Sequence, residues 1–167
     1  MLFRSHAGGR AGDPAAEALA ASLRNDLRLE IGRLKTGTPP RVLHRTTDTD
    51  QLTRQDPDSE PRLFSFRESP DDLPRLGGEN LPQLPCYITT STRKTADIIR
   101  SNLDQSPLYA GHIEGIGTRY CPSFEDKVVR FPHHETHHIY LEPEGVFTDE
   151  YYLNGISTSL PPRVQVQ

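Results

Sequence analysis

The chain has 167 residues, a formal net charge of −4 at pH 7, 15 prolines, two cysteines and no tryptophan. This length suits one domain with a moderate core and is short for a two-domain enzyme. The acidic balance argues against a general polyanion binder, and two cysteines exclude a disulfide framework or a zinc site built from closely spaced cysteine pairs. No apolar run could cross a bilayer and no signal-peptide pattern is present, so we predict a reducing, cytoplasmic setting.

An amphipathic helix is predicted near the start of the chain. Asp13-Pro14 provides an N-cap followed by proline at the first helical position, and leucines then recur at every fourth position to about Glu30. The glycine-rich turn at 8–12 precedes this capped helix, an arrangement that binds anions. Arg10 and the backbone around Ala16 are therefore candidates to face a cofactor phosphate, with ordinary helix capping as the alternative.

A loop that contains a lysine follows at 33–41. Lys35 stands beside Thr-Gly-Thr, a group of donors suited to an oxyanion, although the spacing is not that of a Walker loop. From 44 to 79 the sequence is polar and rich in aspartate and proline, which predicts an irregular excursion with one short strand at 62–67. The aspartates of this stretch do not have metal-ligand spacing.

Apolar patterning predicts the elements of the second half. We expect a strand at 84–89, then a helix that begins with a Ser/Thr cap at 91–92 and extends through Leu103. Asp97 and Arg100 have the spacing of a surface ion pair on this helix. Further strands are predicted at 127–131, 138–141 and 151–153, the first two as an antiparallel pair, with turns at 132–138 and 154–155.

The predicted turn at 132–138 holds two His-x-x-x-His pairs. On a helix this spacing brings two imidazoles together at a metal ion. Because the stretch lies between two predicted strands, we expect a polar turn and no metal site.

The richest chemistry lies in Gly115–Phe131, whose two opening glycines allow a ligand to approach the backbone closely. Arg119 and Lys127 flank Cys121, and cations near a cysteine stabilise its nucleophilic thiolate. Glu125 and the aspartate after it can orient those cations or move protons. From residue types alone, a glycine- and proline-rich turn with a buried cysteine and a solvated charged rim is an equally open interpretation.

The run Arg119–Phe131 resembles the signature of the GidA/MnmG family, the flavoproteins that modify the wobble uridine of certain tRNAs. Other segments look like family segments in family order, and the resemblance covers nearly the whole chain from Gly8 onward. These segments are Gly-Gly-Arg-Ala-Gly-Asp-Pro at 8–14, Gly-Arg-Leu-Lys-Thr-Gly-Thr-Pro-Pro-Arg at 32–41, Leu-Glu-Pro-Glu-Gly at 141–145 and Asn-Gly-Ile-Ser-Thr-Ser-Leu-Pro at 154–161.

The resemblance implies an α/β flavoprotein with two dinucleotide-binding, Rossmann-like domains for FAD and NAD. The chain would be an internal fragment of it with an inserted α+β region, because the sequence has no Gly-x-Gly-x-x-Gly fingerprint for the FAD pyrophosphate and family members continue past Pro161. Residues 1–7 are expected to be a leader outside the family pattern, 8–43 part of the FAD-binding domain, 44–131 the inserted NAD-binding region, and 132–167 the return to the FAD-binding domain.

The implied reaction forms 5-carboxymethylaminomethyluridine at the wobble position of tRNA, with FAD reduced by NADH and methylene-tetrahydrofolate as the carbon donor. The implied enzyme is a cytoplasmic homodimer that works with a MnmE-type GTPase. Cys121 is the expected reactive thiol, with Arg119 and Lys127 lowering its pKa and Glu125 as the proton carrier. The cofactors are expected to contact Arg10, Ala16, Lys35 and the run Gly117, Thr118, Arg119, Tyr120, Cys121, Pro122, Ser123, Phe124, Glu125, Asp126, Lys127, Val128, Val129, Arg130 and Phe131.

Interpretations from other classes stay open beside this one. One alternative is that the chain is an inactive fragment that folds only with the rest of the enzyme. The missing fingerprint favours this alternative. A non-catalytic RNA-binding module that uses the basic residues between Arg24 and Arg45 is a second rival, disfavoured by the overall acidity. A folate-dependent tRNA methyltransferase of related flavoprotein fold matches the 119–131 run less well.

Overall fold

The computed structural model describes residues 14–32, 34–35, 37–59, 83–111 and 115–167. Arg10, Asp13 and the strand predicted at 62–67 lie outside these ranges. The helices are α1 (Glu17–Asn25), α2 (Arg93–Arg100), α3 (Phe124–Arg130) and α4 (Pro162–Val166), and the strands are β1 (Leu34–Lys35), β2 (Arg41–Leu43), β3 (Thr53–Gln55), β4 (Cys86–Thr90), β5 (Ile116–Gly117), β6 (His138–Pro143) and β7 (Glu150–Asn154).

The chain forms two compact units, and each is built from separate stretches of sequence. Unit 1 comprises Met1–Thr38, Asp97–Pro132 and Ser157–Gln167, and unit 2 comprises Pro39–Ala96 and His133–Ile156. Helices together with one parallel and one antiparallel sheet confirm the predicted α/β class. None of the helices in the described ranges is long and apolar enough to cross a membrane.

Unit 2 is an antiparallel five-stranded sheet in the order β2-β7-β6-β4-β3. Alternate residues of β6, Ile139 and Leu141, are buried and pack with Tyr151 of β7, as expected where one face of a sheet covers a core. The predicted strands at 84–89, 138–141 and 151–153 are confirmed by β4, β6 and β7. Gly155, in the predicted turn after β7, has a φ of 99°, which favours glycine.

The strand predicted at 127–131 is wrong, because these residues belong to α3 and its end. The Ser123 side chain accepts a hydrogen bond from the backbone N–H of Asp126, which caps the helix. Acidic residues in the first turn and Arg130 in the last turn complement the helix dipole. The antiparallel partners of β6 are therefore β4 and β7.

The two predicted helices before α3 exist but are shorter than expected. Helix α1 ends at Asn25, and the positive φ of 52° at Arg28 ends the helical path that the leucine spacing predicts to about Glu30. Helix α2 is capped at Thr92, whose hydroxyl accepts from the backbone N–H of Thr95 at 3.2 Å. It ends at Arg100 and not at Leu103. The predicted ion pair on α2 is confirmed, with 2.8 Å between Arg100 and Asp97.

Unit 1 is organised around α3 and the segment after β7. The backbone N–H of Phe124 donates to the carbonyl of Ser157 at 2.6 Å, and Thr38 forms a bridge with Thr158. Strands β1 and β5 form a two-stranded parallel sheet. The buried apolar residues of this unit are Ile99, Leu108, Phe124, Val128, Leu160 and Val164.

The approach of Gly37 to Thr158 leaves no space for a side chain. A Cβ at Gly37 would lie 2.6 Å from the carbonyl carbon of Thr158, and that neighbour is backbone. We expect Gly37→Ala to destabilise the protein by about 1–3 kcal/mol, because the added methyl group overpacks this contact and the two backbone segments must move apart. Urea unfolding followed by far-UV circular dichroism measures this. Gly117→Ala is the matched control, since its Cβ would meet its nearest atom, the flexible end of Arg130, at 3.6 Å. Equal midpoints for the two variants would contradict the prediction.

Candidate functional site

The segment that carries the predicted chemistry consists of a strand, a loop and a helix in unit 1. Gly115, with a φ of 131°, leads into β5, and α3 follows the loop after it. Gly117 of β5 pairs with Lys35 of β1 in parallel register. The fold thus brings together two sequence-distant parts of the predicted cofactor site.

Cys121 is exposed on the loop before α3. Its carbonyl accepts a hydrogen bond from the Thr118 hydroxyl. Burial lowers the pKa of the Lys127 ammonium, and the neighbouring Cys121 acts in the opposite direction by raising it. The thiol and the amine are therefore close enough to interact electrostatically, as the sequence suggested. The catalytic roles of both residues stay predictions.

Arg119 lies on the same loop, and its guanidinium carbon is 5.3 Å from the ring centroid of Tyr120. This is a cation–π contact between two exposed side chains. Among the described residues, no ion pair joins Arg119 to Glu125 or Asp126. The aromatic contact, and not a carboxylate, thus orients this arginine.

Glu125 is fully buried. Its Oε1 accepts hydrogen bonds from the Ser106 hydroxyl at 3.1 Å, the backbone N–H of Ser159 at 2.9 Å and the Ser159 hydroxyl at 3.1 Å. Within the described residues, Oε2 has no hydrogen-bond partner. Glu125 therefore joins α3 to two other segments of unit 1, and its role as a proton carrier stays a prediction.

Asp126 has a different environment, at the edge of a cavity of about 370 Å³. Its Oδ1 accepts from the Tyr109 hydroxyl at 3.1 Å and lies 3.5 Å from Nε of Arg130. Burial, reinforced by Asp126, raises the pKa of Tyr109 to about 12, so this phenol stays neutral and keeps its proton. The residues that line the cavity are Lys35, Leu108, Tyr109, Asp126, Val129 and Arg130.

Most residues of the predicted cofactor run 117–131 fall into an exposed outer set or a buried inner set, and the others are half-buried. Side chains of the outer set face solvent and are available to a ligand, whereas those of the inner set pack inside unit 1. Ala16 is exposed, and its carbonyl accepts from the backbone N–H of Ala20, so its backbone serves the first turn of α1. The outer set is Arg119, Tyr120, Cys121, Val129, Arg130 and Phe131, and the inner set is Ser123, Phe124, Glu125 and Val128.

Sequence analysis did not identify Ser106, Leu108 or Tyr109 as part of this region. They follow α2 in a stretch without a recognisable motif, and they reach the site only through the fold. The carbonyl of Leu108 accepts from Nζ of Lys35 at 3.2 Å, across 73 positions of the sequence.

The histidine-rich stretch at 132–138 is a loop that leads into β6, as predicted. The ring centroids of His133 and His134 are 4.6 Å apart, and those of His134 and His137 are 6.2 Å apart. In the described part of the chain, no group of three or more His, Cys, Asp or Glu side chains is placed to hold a metal ion.

A second cavity, of about 480 Å³, lies in unit 2 and contains none of the predicted site residues. Its lining includes Asp56, Asp58, Glu142 and the other cysteine, Cys86. Burial, with a smaller contribution from Glu142, raises the pKa of the Cys86 thiol. A raised pKa disfavours the thiolate, which is the nucleophilic form of the Cys86 side chain.

A family model described as "Glucose inhibited division protein A" matches residues 2–167, and so begins within residues 1–7. The structure of Aquifex aeolicus GidA in one crystal form matches with 46% sequence identity and a TM-score of 0.68, over 95% of this chain and 26% of that chain. A second crystal form of Aquifex aeolicus GidA matches with 42% identity and a TM-score of 0.64, over 95% of this chain and 24% of that chain. The chain thus spans about a quarter of the proteins that it matches.

Proposed function

The chain belongs to the GidA family, and on that premise we propose that it forms part of an FAD-dependent enzyme that modifies the wobble uridine of tRNA. The family match over residues 2–167 carries this proposal. The proposed product is 5-carboxymethylaminomethyluridine, with methylene-tetrahydrofolate as the carbon donor. A MnmE-type GTPase, a homodimeric assembly and a cytoplasmic location belong to the same proposal.

The residues of unit 1 fit part of a nucleotide cofactor. NADH and FAD, when bound, supply the electrons of the reaction. Lys35 and Arg130 place two positive charges at one cavity. Gly117 is paired with Lys35 and lies near Arg130, and its lack of a side chain leaves the backbone accessible there. A cavity of about 370 Å³ is at the small end of ligand sites, so it suits one portion of a dinucleotide and not the whole molecule. The division into FAD-binding segments at 8–43 and 132–167 and a nicotinamide region at 44–131 stays a prediction.

The reactive group in this proposal is the Cys121 thiol, which either attacks a pyrimidine carbon or carries the one-carbon unit. Its exposure lets a substrate reach the sulfur, and the neighbouring Lys127 favours the thiolate when protonated. The lowered pKa of Lys127 also makes this amine easier to deprotonate than a solvated lysine, so it is suited to exchange protons with the thiol. Arg119, held over Tyr120, offers an exposed cation for a phosphate of the tRNA.

A chimera tests the proposal because the chain matches only part of the Aquifex protein. This chain replaces the matching segment of Aquifex aeolicus GidA, and mass spectrometry measures modified uridine in tRNA from cells that lack their own family member. We expect the chimera to restore modification and Cys121→Ser to reduce it by about a hundredfold or more. Cys86→Ser is the matched control and should keep activity. A folded chimera that binds FAD and modifies no tRNA overturns the function, and an active Cys121→Ser variant overturns the role of the thiol.

The second candidate function is that the chain is inactive by itself and needs further protein around it. The sheet of β1 and β5 favours this candidate. Parallel strands are normally covered on both faces, yet Leu34 is 66% exposed and Ile116 is 76% exposed. Failure of the isolated chain to bind FAD, together with activity of the chimera, supports this candidate.

Two arginines at the end of the basic stretch between Arg24 and Arg45 do not support an RNA-binding module without catalysis. Arg41 is 2.8 Å from Glu144 and lies over the ring of Tyr152, and Arg45 pairs with Asp149. Ion pairs therefore already use these two positive charges.

A further inference from the structure

Tyr120 is the most exposed of the described aromatic residues in unit 1. It is 89% exposed, against 45% for Phe131 and 40% for Tyr109. We propose that its ring stacks on an unpaired pyrimidine base of RNA and holds that base beside the thiol of Cys121. The inference rests on the proposed function for the identity of the RNA, and it adds to that function a residue that binds the base.

The loop that carries Tyr120 is held by contacts on both sides of this residue. The Thr118 hydroxyl donates to the carbonyl of Cys121, which closes the segment 118–121 around Tyr120. The guanidinium carbon of Arg119 lies over the ring, 5.3 Å from its centroid. Because these contacts limit the conformations open to the ring, binding a base costs less conformational entropy than it would with a free side chain.

Most of the Tyr120 ring stays open to a ligand. Arg119 contacts the ring from one direction, and the high exposure of Tyr120 leaves the remaining surface to solvent. Unpaired bases of RNA stack on aromatic side chains of this kind. The positive charge of Arg119 also attracts the RNA backbone. An exposed aromatic ring beside an exposed arginine is therefore a combination suited to single-stranded RNA.

The ring and the thiol come from neighbouring residues. Consecutive Cα atoms of a chain are only about 3.8 Å apart. Since Cys121 is also exposed, a base stacked on Tyr120 lies within reach of its sulfur. One of the two roles proposed for this thiol is attack on a pyrimidine carbon. A base that is held beside the nucleophile reacts more readily than one that must first be oriented.

The position of Tyr120 favours RNA over a nucleotide cofactor as the source of the stacked ring. Small ligands bind in pockets that bury most of their surface. Tyr120 does not line the cavity of unit 1. A base in the loop of a folded RNA is carried by its own scaffold, so it can stack on an exposed ring without a pocket around it.

Binding of two RNA hairpins to the 167-residue chain and to the chimera tests the proposal. One hairpin has uridine at the wobble position of its loop, and the other has an abasic ribose there, which keeps the phosphates and removes the base. We expect Tyr120→Leu to weaken binding of the uridine hairpin by about tenfold, as for the loss of one base stack, and to leave the abasic hairpin unaffected. Tyr120→Phe keeps the ring and should bind like the unchanged protein. Phe147→Leu, at a fully exposed aromatic residue of unit 2, is the matched control.

Equal effects of Tyr120→Leu on the two hairpins overturn the inference, as does undetectable binding of the uridine hairpin by the folded chimera. Weaker NADH binding with unchanged affinity for both hairpins also overturns it, since the ring would then belong to the cofactor site. A thermal melt of each variant separates loss of the contact from loss of the fold. Base-dependent binding by a chimera that modifies no tRNA would leave this inference standing without the proposed function. An active chimera that is insensitive to Tyr120→Leu would do the reverse.

Discussion

Phe124→Ala is expected to lower the free energy of unfolding by about 3–5 kcal/mol, the range for removing a fully buried aromatic side chain. Phe124 is completely buried at the first turn of α3. Its backbone N–H also donates to Ser157, so the ring and the main chain anchor the helix at the same point. Since the chain has no tryptophan, urea unfolding is followed by far-UV circular dichroism.

Val129→Ala is the matched control for Phe124→Ala. Val129 lies on the same helix and is 43% exposed, so we expect a change within about 0.5 kcal/mol. Similar unfolding midpoints for the two variants would show that the inner side of α3 does not contribute to the core, contrary to the prediction.

Glu125→Ala is expected to be the second strongly destabilising change. It removes the acceptor of the Ser159 backbone N–H and of the serine hydroxyls, although the hydroxyls of Ser106 and Ser159 lie 2.7 Å apart and one of them can donate to the other. Each donor left buried without an acceptor costs about 1–3 kcal/mol. Glu125→Gln keeps one side-chain oxygen for these donors, so we expect a smaller loss than with alanine. Thermal melts of both variants measure the order.

Asp104→Asn provides the control for the Glu125 variants, because Asp104 is an exposed acid of the same unit. Its removal should leave the melting temperature nearly unchanged. A Glu125→Ala variant with unchanged melting temperature but lost activity in the chimera would contradict the structural role. That result would instead support Glu125 as the proton carrier.

Local patterns were sufficient to predict much of unit 2. In β6 the buried residues Ile139 and Leu141 alternate with more exposed neighbours, and this period of two is visible in the sequence. Helix α3 shows where such patterns mislead, since Val128 and Val129 suggest a strand. The stronger signal was Ser123 three residues before Asp126, which is the spacing of a helix N-terminus.

The candidate site was predictable only where its members are neighbours in sequence. Cys121 and Lys127 belong to one segment, and their proximity follows from that segment. The burial of Glu125 depends on Ser106 and Ser159, which are 19 and 34 positions away. A single sequence reports that an acid is present, but the partners that decide its environment come from the fold.

The alternation of the two units along the chain has a consequence for folding during synthesis. Unit 1 includes Met1–Thr38 and also Leu160 and Val164, which are among its buried residues. β2 likewise pairs with β7, so the first described strand of unit 2 cannot pair until the last described strand has been synthesised. A ribosome must therefore complete most of the chain before either core can close. Until then the edges of the early strands stay accessible to other molecules, which makes the nascent chain a candidate client for chaperones.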